Sequence, residues 1–178
     1  MSEKQGEADK AFGENIEIER KFVIVIPEKE VLARFEYSDI TQTYLLSNPG
    51  VTHRVRSRIF ADKIIYTETK KIRIDKMSCV EDEREITREE YENLLLIANT
   101  EQTPIKKRRY IIPFDGRTFE IDIYEKWHRT CIMEVELPTR AEEVEFPPFI
   151  RIVREVTGEK AYSNASMSAH FPPEILAD

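Results

Sequence analysis

The chain has 178 residues, of which 40% are hydrophobic and 34% are charged. A chain of this length buries roughly 70% of its unfolded surface, so it needs no disulfide or structural metal to fold. A formal net charge of −7 argues against a nucleic-acid or membrane-surface protein. No stretch approaches the ~20 apolar residues of a membrane span, and Cys79 and Cys131 indicate neither a disulfide framework nor a zinc site. We therefore expect a soluble cytoplasmic protein.

In chain order, residues 1–14 are polar and aperiodic, which predicts a flexible tail before a single domain over 15–178. Short alternating segments separated by turn residues follow, as is typical of an antiparallel sheet or barrel. The predicted strands are 15–26, 40–47, 51–60, 63–71, 79–86, 105–113, 118–126 and 129–137. Tight hairpins are expected at residues 61–62 and 115–116.

Three helices interrupt or follow these strands. The first is expected to begin at Pro27, and the second at a capping box formed by Thr87 and Glu90. The third is expected after Pro148, with Gly158 as its stop. The fold class is therefore α+β, with eight antiparallel strands, which is enough to close a small β-barrel with flanking helices.

Nearly every predicted strand carries charged residues at alternate positions, which places them on one face. These same-face sets are Glu17, Glu19 and Lys21; Arg54, Arg56 and Arg58; Glu68 and Lys70; Glu81, Glu83 and Glu85; Lys107 and Arg109; Glu120 and Asp122; and Glu134 and Glu136. One interpretation is the solvated face of a one-sided sheet. The other is the inside of a barrel whose apolar residues pack outward against the helices.

Charges inside a barrel are unfavourable unless they are paired or bind something. A polyanion with divalent cations would satisfy both signs, because arginine and lysine hold phosphate oxygens while carboxylates hold Mg²⁺ or Mn²⁺. The residues alone therefore suggest a metal-dependent phosphate site.

Several motifs in combination resemble the CYTH superfamily, the triphosphate tunnel metalloenzymes, and especially its small bacterial single-domain members. They are Glu17-Ile18-Glu19-Arg20-Lys21, Thr41-Gln42-Thr43-Tyr44-Leu45, Arg54-Val55-Arg56, Thr69-Lys70, the alternating Glu81, Glu83 and Glu85, Lys107-Arg108-Arg109-Tyr110, Glu120-Ile121-Asp122, Glu134-Val135-Glu136 and Tyr162-Ser163-Asn164. The resemblance covers residues 15 to 170. It implies an eight-stranded antiparallel tunnel with a charged interior that binds a triphosphate.

The resemblance also implies roles for individual residues. The metal ligands it implies are Glu17, Glu19, Glu134 and Glu136, with Asp122 either a ligand of a second metal or a counter-ion for tunnel lysines. The phosphate ligands it implies are Lys21, Arg54, Arg56, Lys70, Lys107, Arg109 and Lys160. Glu83 and Glu19 are alternative general bases, and Lys21 is a further catalytic candidate.

The expected activity is metal-dependent hydrolysis of a small-molecule triphosphate, with inorganic triphosphate as the first choice and Mg²⁺ or Mn²⁺ as cofactor. The alternatives are a class IV adenylyl cyclase, a thiamine triphosphatase, or a non-catalytic polyphosphate- or nucleotide-binding module. A monomer or a homodimer is expected, with no nucleic-acid or membrane partner.

Overall fold

A computed structural model of the chain describes residues 16–176, so the tail predicted for residues 1–14 lies outside the described residues. Its sheet has the strand order β5-β4-β3-β2-β6-β7-β8-β1-β9, and β1 also pairs with β5. The first eight strands therefore form a closed antiparallel barrel, as the sequence predicted. The strands are β1 (Ile16–Val25), β2 (Glu36–Tyr44), β3 (Val51–Phe60), β4 (Lys63–Arg73), β5 (Ser78–Ile86), β6 (Ile105–Phe114), β7 (Arg117–Tyr124), β8 (Thr130–Glu136) and β9 (Ile152–Glu155).

Both predicted hairpins are present, and their backbone geometry explains the short turns. Ala61 has φ 50° between β3 and β4, and the β6–β7 turn has φ 49° at Asp115 and φ 69° at Gly116. Two successive left-handed residues match the right-handed twist of the flanking strands, which keeps such a connection tight. These turns fix the register that decides which side chains point into the barrel.

The apolar residues of several strands point outward. Phe22, Ile24, Ile121 and Met133 belong to one buried cluster on β1, β7 and β8, and residues 144–150 pack against it. Burying this outer face leaves the charged face inside. The sequence alternative of a solvated charged face is therefore wrong for most of these residues, because the sheet closes on itself.

The helices are short, and the helix that the sequence predicts after Pro148 is absent. They are α1 (Lys29–Leu32), α2 (Arg88–Leu94) and α3 (Asn164–Ala169). The capping box of Thr87 and Glu90 is present at α2. Residues 149–156 form no helix; instead β9 lies there and pairs with β1. Because β5 pairs only with Ile16–Ile18, the other half of β1 has an edge free for β9.

None of the helices that the structure describes has the length and apolar character needed to cross a membrane.

Candidate functional site

A cavity of about 510 Å³ occupies the inside of the barrel, and we call it the barrel cavity. Its charged lining contains nearly equal numbers of basic and acidic side chains. The basic ones are Lys21, Arg54, Arg56, Arg58, Lys71, Arg73, Arg109 and Lys160, and the acidic ones are Glu17, Glu19, Glu81, Glu83, Glu120, Glu134 and Glu136. The two signs are distributed unevenly, because β1, β7 and β8 carry most of the acids while β3 and β4 carry arginine and lysine.

The acidic side of the cavity consists of Glu17, Glu19, Glu120 and Glu136. Glu19 lies directly opposite Glu136 in the β1–β8 ladder, so two carboxylates of like charge are neighbours. Burial raises the pKa of Glu136, and the carboxylates of Glu17 and Glu120 raise it further. Glu17, Glu19 and Glu120 have Lys71, Lys21 and Arg109 as cationic neighbours, but Glu136 has no ion pair among the described residues. The surplus negative charge of this side therefore lies at Glu136, and a bound cation would relieve it.

Glu17 also belongs to a closer group of candidate ligand atoms. One oxygen each of Glu17 and Glu81 and the sulfur of Cys79 lie within 4.8 Å of one another. Lys71 stands among them, with its Nζ 3.1 Å from Glu17 and 2.5 Å from Glu81. Burial and the Glu81 charge raise the pKa of Glu17, although Lys71 opposes the shift.

The basic side consists of Arg54, Arg56 and Arg58 on β3 with Lys71 and Arg73 on β4. Arg54 donates from Nη2 to Glu81 at 3.3 Å, but its Nε is buried without a hydrogen-bond partner among the described residues. Burial and the neighbouring guanidinium groups of Arg54 and Arg109 lower the pKa of Arg56 to about 10. A buried guanidinium with a lowered pKa and a neighbour with a free donor are the features that an anion would satisfy.

Lys21, Glu134 and Arg109 connect the two sides. Lys21 Nζ lies 2.6 Å from Glu134 and 4.0 Å from Glu19, and Arg109 Nη2 donates to Glu134 at 3.3 Å. Burial opposes ionisation of Glu134, but the charges of Lys21 and Arg109 outweigh it and hold the pKa of this carboxyl well below its ordinary value. Glu134 is therefore charged at neutral pH and anchors the side chains of Lys21 and Arg109.

Glu83 has a different setting from the other acids. Its side chain is 38% exposed and accepts a 2.6 Å hydrogen bond from Thr69 Oγ1. Arg56 Nη1 donates to the same oxygen at 3.5 Å. Glu83 therefore has a fixed orientation beside the basic side, and its side chain is open to solvent.

Three residues predicted as site residues do not line the barrel cavity. Lys70 is exposed on the outer face of β4, because the inward positions of that strand are Thr69, Lys71 and Arg73. Lys107 and Asp122 point inward but are sequestered, with side chains only 0% and 1% exposed.

Asp122 is neutralised by its neighbours. It accepts hydrogen bonds from Lys107 Nζ and from Nε and Nη2 of Arg109. Burial opposes its ionisation, but Arg109 and Lys107 outweigh burial and lower the pKa of Asp122. Of the two roles considered for Asp122, the contacts match the counter-ion.

The other predicted residues line the cavity, and the structure adds several that the motifs did not assign. The candidate residues that line the cavity together are Glu17, Glu19, Lys21, Arg54, Arg56, Glu83, Arg109, Glu134, Glu136 and Lys160. The chief additions are Lys71, Arg73, Glu81 and Tyr44. Alternation places Thr69, Lys71 and Arg73 on one face of β4 and Glu68 and Lys70 on the other, but only the closed sheet shows which of the two faces is inside.

Comparisons with known proteins agree with this fold. The inorganic triphosphatase NE1496 matches with a TM-score of 0.57 and 26% sequence identity, covering 88% of this chain and 97% of that one. A second structure of NE1496 gives a TM-score of 0.55 at the same identity. The PH1012 protein from Pyrococcus horikoshii OT3 matches with a TM-score of 0.52 and 25% identity over 69% of this chain and 80% of that one. No family model and no curated protein matches the sequence.

Fold and cavity together define a closed antiparallel barrel with a charged interior. The structural neighbours confirm the resemblance to the CYTH superfamily, the triphosphate tunnel metalloenzymes, that the motifs indicate. One of those neighbours is an inorganic triphosphatase.

Proposed function

We propose that this protein hydrolyses inorganic triphosphate to diphosphate and phosphate with the help of a divalent cation. The observation that carries the proposal is the pair of opposite charge surpluses facing each other across one cavity. The pKa of Glu136 is raised on the acidic side, and that of Arg56 is lowered to about 10 on the basic side. A metal–polyphosphate complex would balance the negative charge of the acidic side and the positive charge of the basic side at once.

The acidic side fits Mg²⁺ or Mn²⁺. Glu17, Glu19 and Glu136 offer hard oxygen ligands, and these ions bind through carboxylates together with substrate phosphates. A cation bound there would polarise a phosphoryl oxygen. Glu134 belongs to the same Glu-Val-Glu motif as Glu136, but it is already paired with Lys21 and Arg109. We therefore assign Glu134 the role of positioning these two basic side chains for the substrate.

The basic side fits the phosphate chain. Arg54 and Arg56 present guanidinium donors to equatorial oxygens, with the free Nε of Arg54 as one donor. Lys71 replaces Lys70 in this set because it is the lysine that faces the cavity. Fixed positive charge of this kind stabilises the charge that spreads over the phosphoryl oxygens in the transition state.

Glu83 is our candidate for the general base. Its carboxylate is oriented by Thr69 and Arg56, and its exposure leaves it in contact with water. In the proposed step, a water oxygen attacks the terminal phosphorus, its proton passes to Glu83, and the phosphorus–oxygen bond to diphosphate breaks. Glu19 is the alternative base, but its place beside Glu136 favours a role on the metal side.

The lining favours inorganic triphosphate over nucleotides. Among the cavity-lining residues that the structure describes, Tyr44 is the single aromatic one, and it is only 4% exposed. A nucleobase that enters a protein site usually stacks on the ring of an aromatic side chain. We therefore place the adenylyl cyclase and thiamine triphosphatase alternatives behind inorganic triphosphate.

The test is phosphate release from inorganic triphosphate, ATP and thiamine triphosphate, each measured in Mg²⁺, in Mn²⁺ and in EDTA. We expect turnover that requires the metal and favours inorganic triphosphate. Hydrolysis of ATP or thiamine triphosphate at higher kcat/KM would overturn the substrate assignment. Binding of triphosphate with no turnover of any substrate would instead identify a binding module.

A further inference from the structure

Gln42 is a fully buried polar side chain inside the barrel that links an arginine of the basic side to a tyrosine. Gln42 Oε1 accepts a 2.7 Å hydrogen bond from Arg56 Nε, and Gln42 Nε2 donates a 2.6 Å hydrogen bond to the Tyr44 hydroxyl. The three residues lie on the inward faces of β2 and β3, where Gln42 stands opposite Arg56 in the ladder. Tyr44 lines the barrel cavity.

The directions of these hydrogen bonds follow from the chemistry of the groups. A guanidinium carries only donors, so the amide oxygen of Gln42 must face Arg56. The amide nitrogen must then face Tyr44, and the phenol oxygen must accept. The proton of Tyr44 is consequently directed away from Gln42.

No acceptor for this proton is present in the hydrogen bonds of residues 16–176. The nearby charged groups that act on the phenol are Arg54, Arg56 and Lys21, which have no acceptor to offer. A buried hydroxyl with an unused donor is unfavourable unless a partner arrives. The cavity that Tyr44 lines is the place from which such a partner would come.

We propose that Tyr44 is a further substrate-binding residue, which donates a neutral hydrogen bond to a phosphate oxygen, and that Gln42 positions it for this role. This inference rests on the proposed function for the identity of the anion. Burial raises the pKa of Tyr44 even though Arg54 and Arg56 oppose the shift, so the phenol keeps its proton at neutral pH. Gln42 thereby orients two phosphate ligands at once, Arg56 by accepting and Tyr44 by donating.

The first experiment removes only the hydroxyl, with Tyr44→Phe. Triphosphate affinity is measured by calorimetry in EDTA, and kcat and KM are measured in Mg²⁺. Loss of one hydrogen bond to a charged group weakens binding by roughly tenfold to a hundredfold. Tyr162→Phe is the matched control, because its ring packs in the same buried cluster but does not line the cavity. Equal affinity of Tyr44→Phe and the wild-type protein would overturn the proposal.

The second experiment uses the direction of the Gln42 bond. Gln42→Glu still accepts from Arg56, but it can only accept from Tyr44, so the phenol proton turns away from the cavity. The added charge alone should weaken triphosphate binding equally in the wild-type and Tyr44→Phe backgrounds. The proposal instead requires that Gln42→Glu lowers triphosphate affinity less in the Tyr44→Phe background than in the wild-type protein. Equal losses in the two backgrounds would contradict it.

The two proposals fail in distinguishable ways. Absence of hydrolysis by the wild-type protein, with triphosphate binding that still depends on Tyr44, would reject the proposed function and support the Tyr44 site. Hydrolysis and binding that are both unchanged by Tyr44→Phe would support the function and reject the site.

Discussion

Glu136 is a carboxylate that lowers the stability of the metal-free fold, as we expect of a residue whose proposed role is to hold a cation. It faces Glu19 across the ladder, and burial together with neighbouring carboxylates raises its pKa, so it destabilises the metal-free fold above its folded pKa. We expect Glu136→Gln to raise the free energy of unfolding of the metal-free protein by about 0.5 kcal/mol at pH 8. The same substitution should lower metal-dependent turnover about a hundredfold.

Chemical denaturation in EDTA at several pH values measures the effect on stability. Steady-state phosphate release measures the effect on turnover. As pH rises from the unfolded to the folded pKa of Glu136, the wild-type protein should lose stability that Glu136→Gln retains. Loss of both stability and turnover in Glu136→Gln would indicate an ordinary structural carboxylate.

Lys70 and Lys71 form a natural matched pair, since they are adjacent on β4 but face opposite ways. Lys71 is bound to Glu17 and Glu81; burial alone would lower its pKa, but Glu19 and Glu81 outweigh burial and raise it. We expect Lys71→Met to raise KM for triphosphate by about tenfold or more, and Lys70→Met to leave it unchanged. Equal effects of the two substitutions in steady-state kinetics would contradict the assignment of faces.

At the scale of elements, all eight barrel strands could be predicted because alternation is a local signal. β9 could not, since residues 152–155 pair with an edge of β1 that exists only once the barrel has formed. The helix predicted there rested on apolar spacing that a docked extended segment satisfies equally well. α3 was missed for a related reason, because its Ser163 cap is local but its apolar Met167 packs in a cluster of distant residues.

The segment after α3 is held to the barrel by Glu174. One of its oxygens accepts from the backbone N–H groups of His128, Arg129 and Thr130 and from Thr130 Oγ1. Burial alone would raise the pKa of Glu174, but these donors outweigh burial and lower it. Its stabilising effect is therefore present above the unfolded pKa of a glutamate and is lost as pH falls through the lower folded pKa.

We expect Glu174→Ala to lower the free energy of unfolding by about 1 kcal/mol at pH 7, a modest value because solvent screens the group. The difference from the wild-type protein should shrink below about pH 4. Denaturant melts at several pH values measure this difference in the free energy of unfolding, and Glu125→Ala, at an exposed position nearby, is the control. A difference that persists unchanged into acid would show that the charge of Glu174 has no part in docking.

On the scale of the whole molecule, the barrel cavity joins two charge surpluses that a single ligand cannot relieve together. A divalent cation alone neutralises the acidic side but leaves the guanidinium groups of β3 unbalanced, and triphosphate alone does the reverse. Each ligand should therefore increase the affinity for the other by the same factor, as linkage requires. Glu17, Glu19 and Glu136 would hold the cation, and its charge would favour binding of the phosphate chain beside it.

Thermal melts with Mg²⁺ alone, triphosphate alone and both together measure this coupling. Since turnover would consume the substrate, the Glu83→Gln variant is the sample for these melts. A metal–triphosphate complex present at about a hundredfold over its Kd stabilises the fold by about 2.7 kcal/mol. For a chain of this size, that raises the Tm by roughly 5–11 °C. We expect that rise to exceed the sum of the two single-ligand shifts, and the excess to disappear when Glu136→Gln is added. Additive shifts would mean that the two sides of the cavity bind their ligands independently, and the charge argument for a metal–triphosphate complex would then fail.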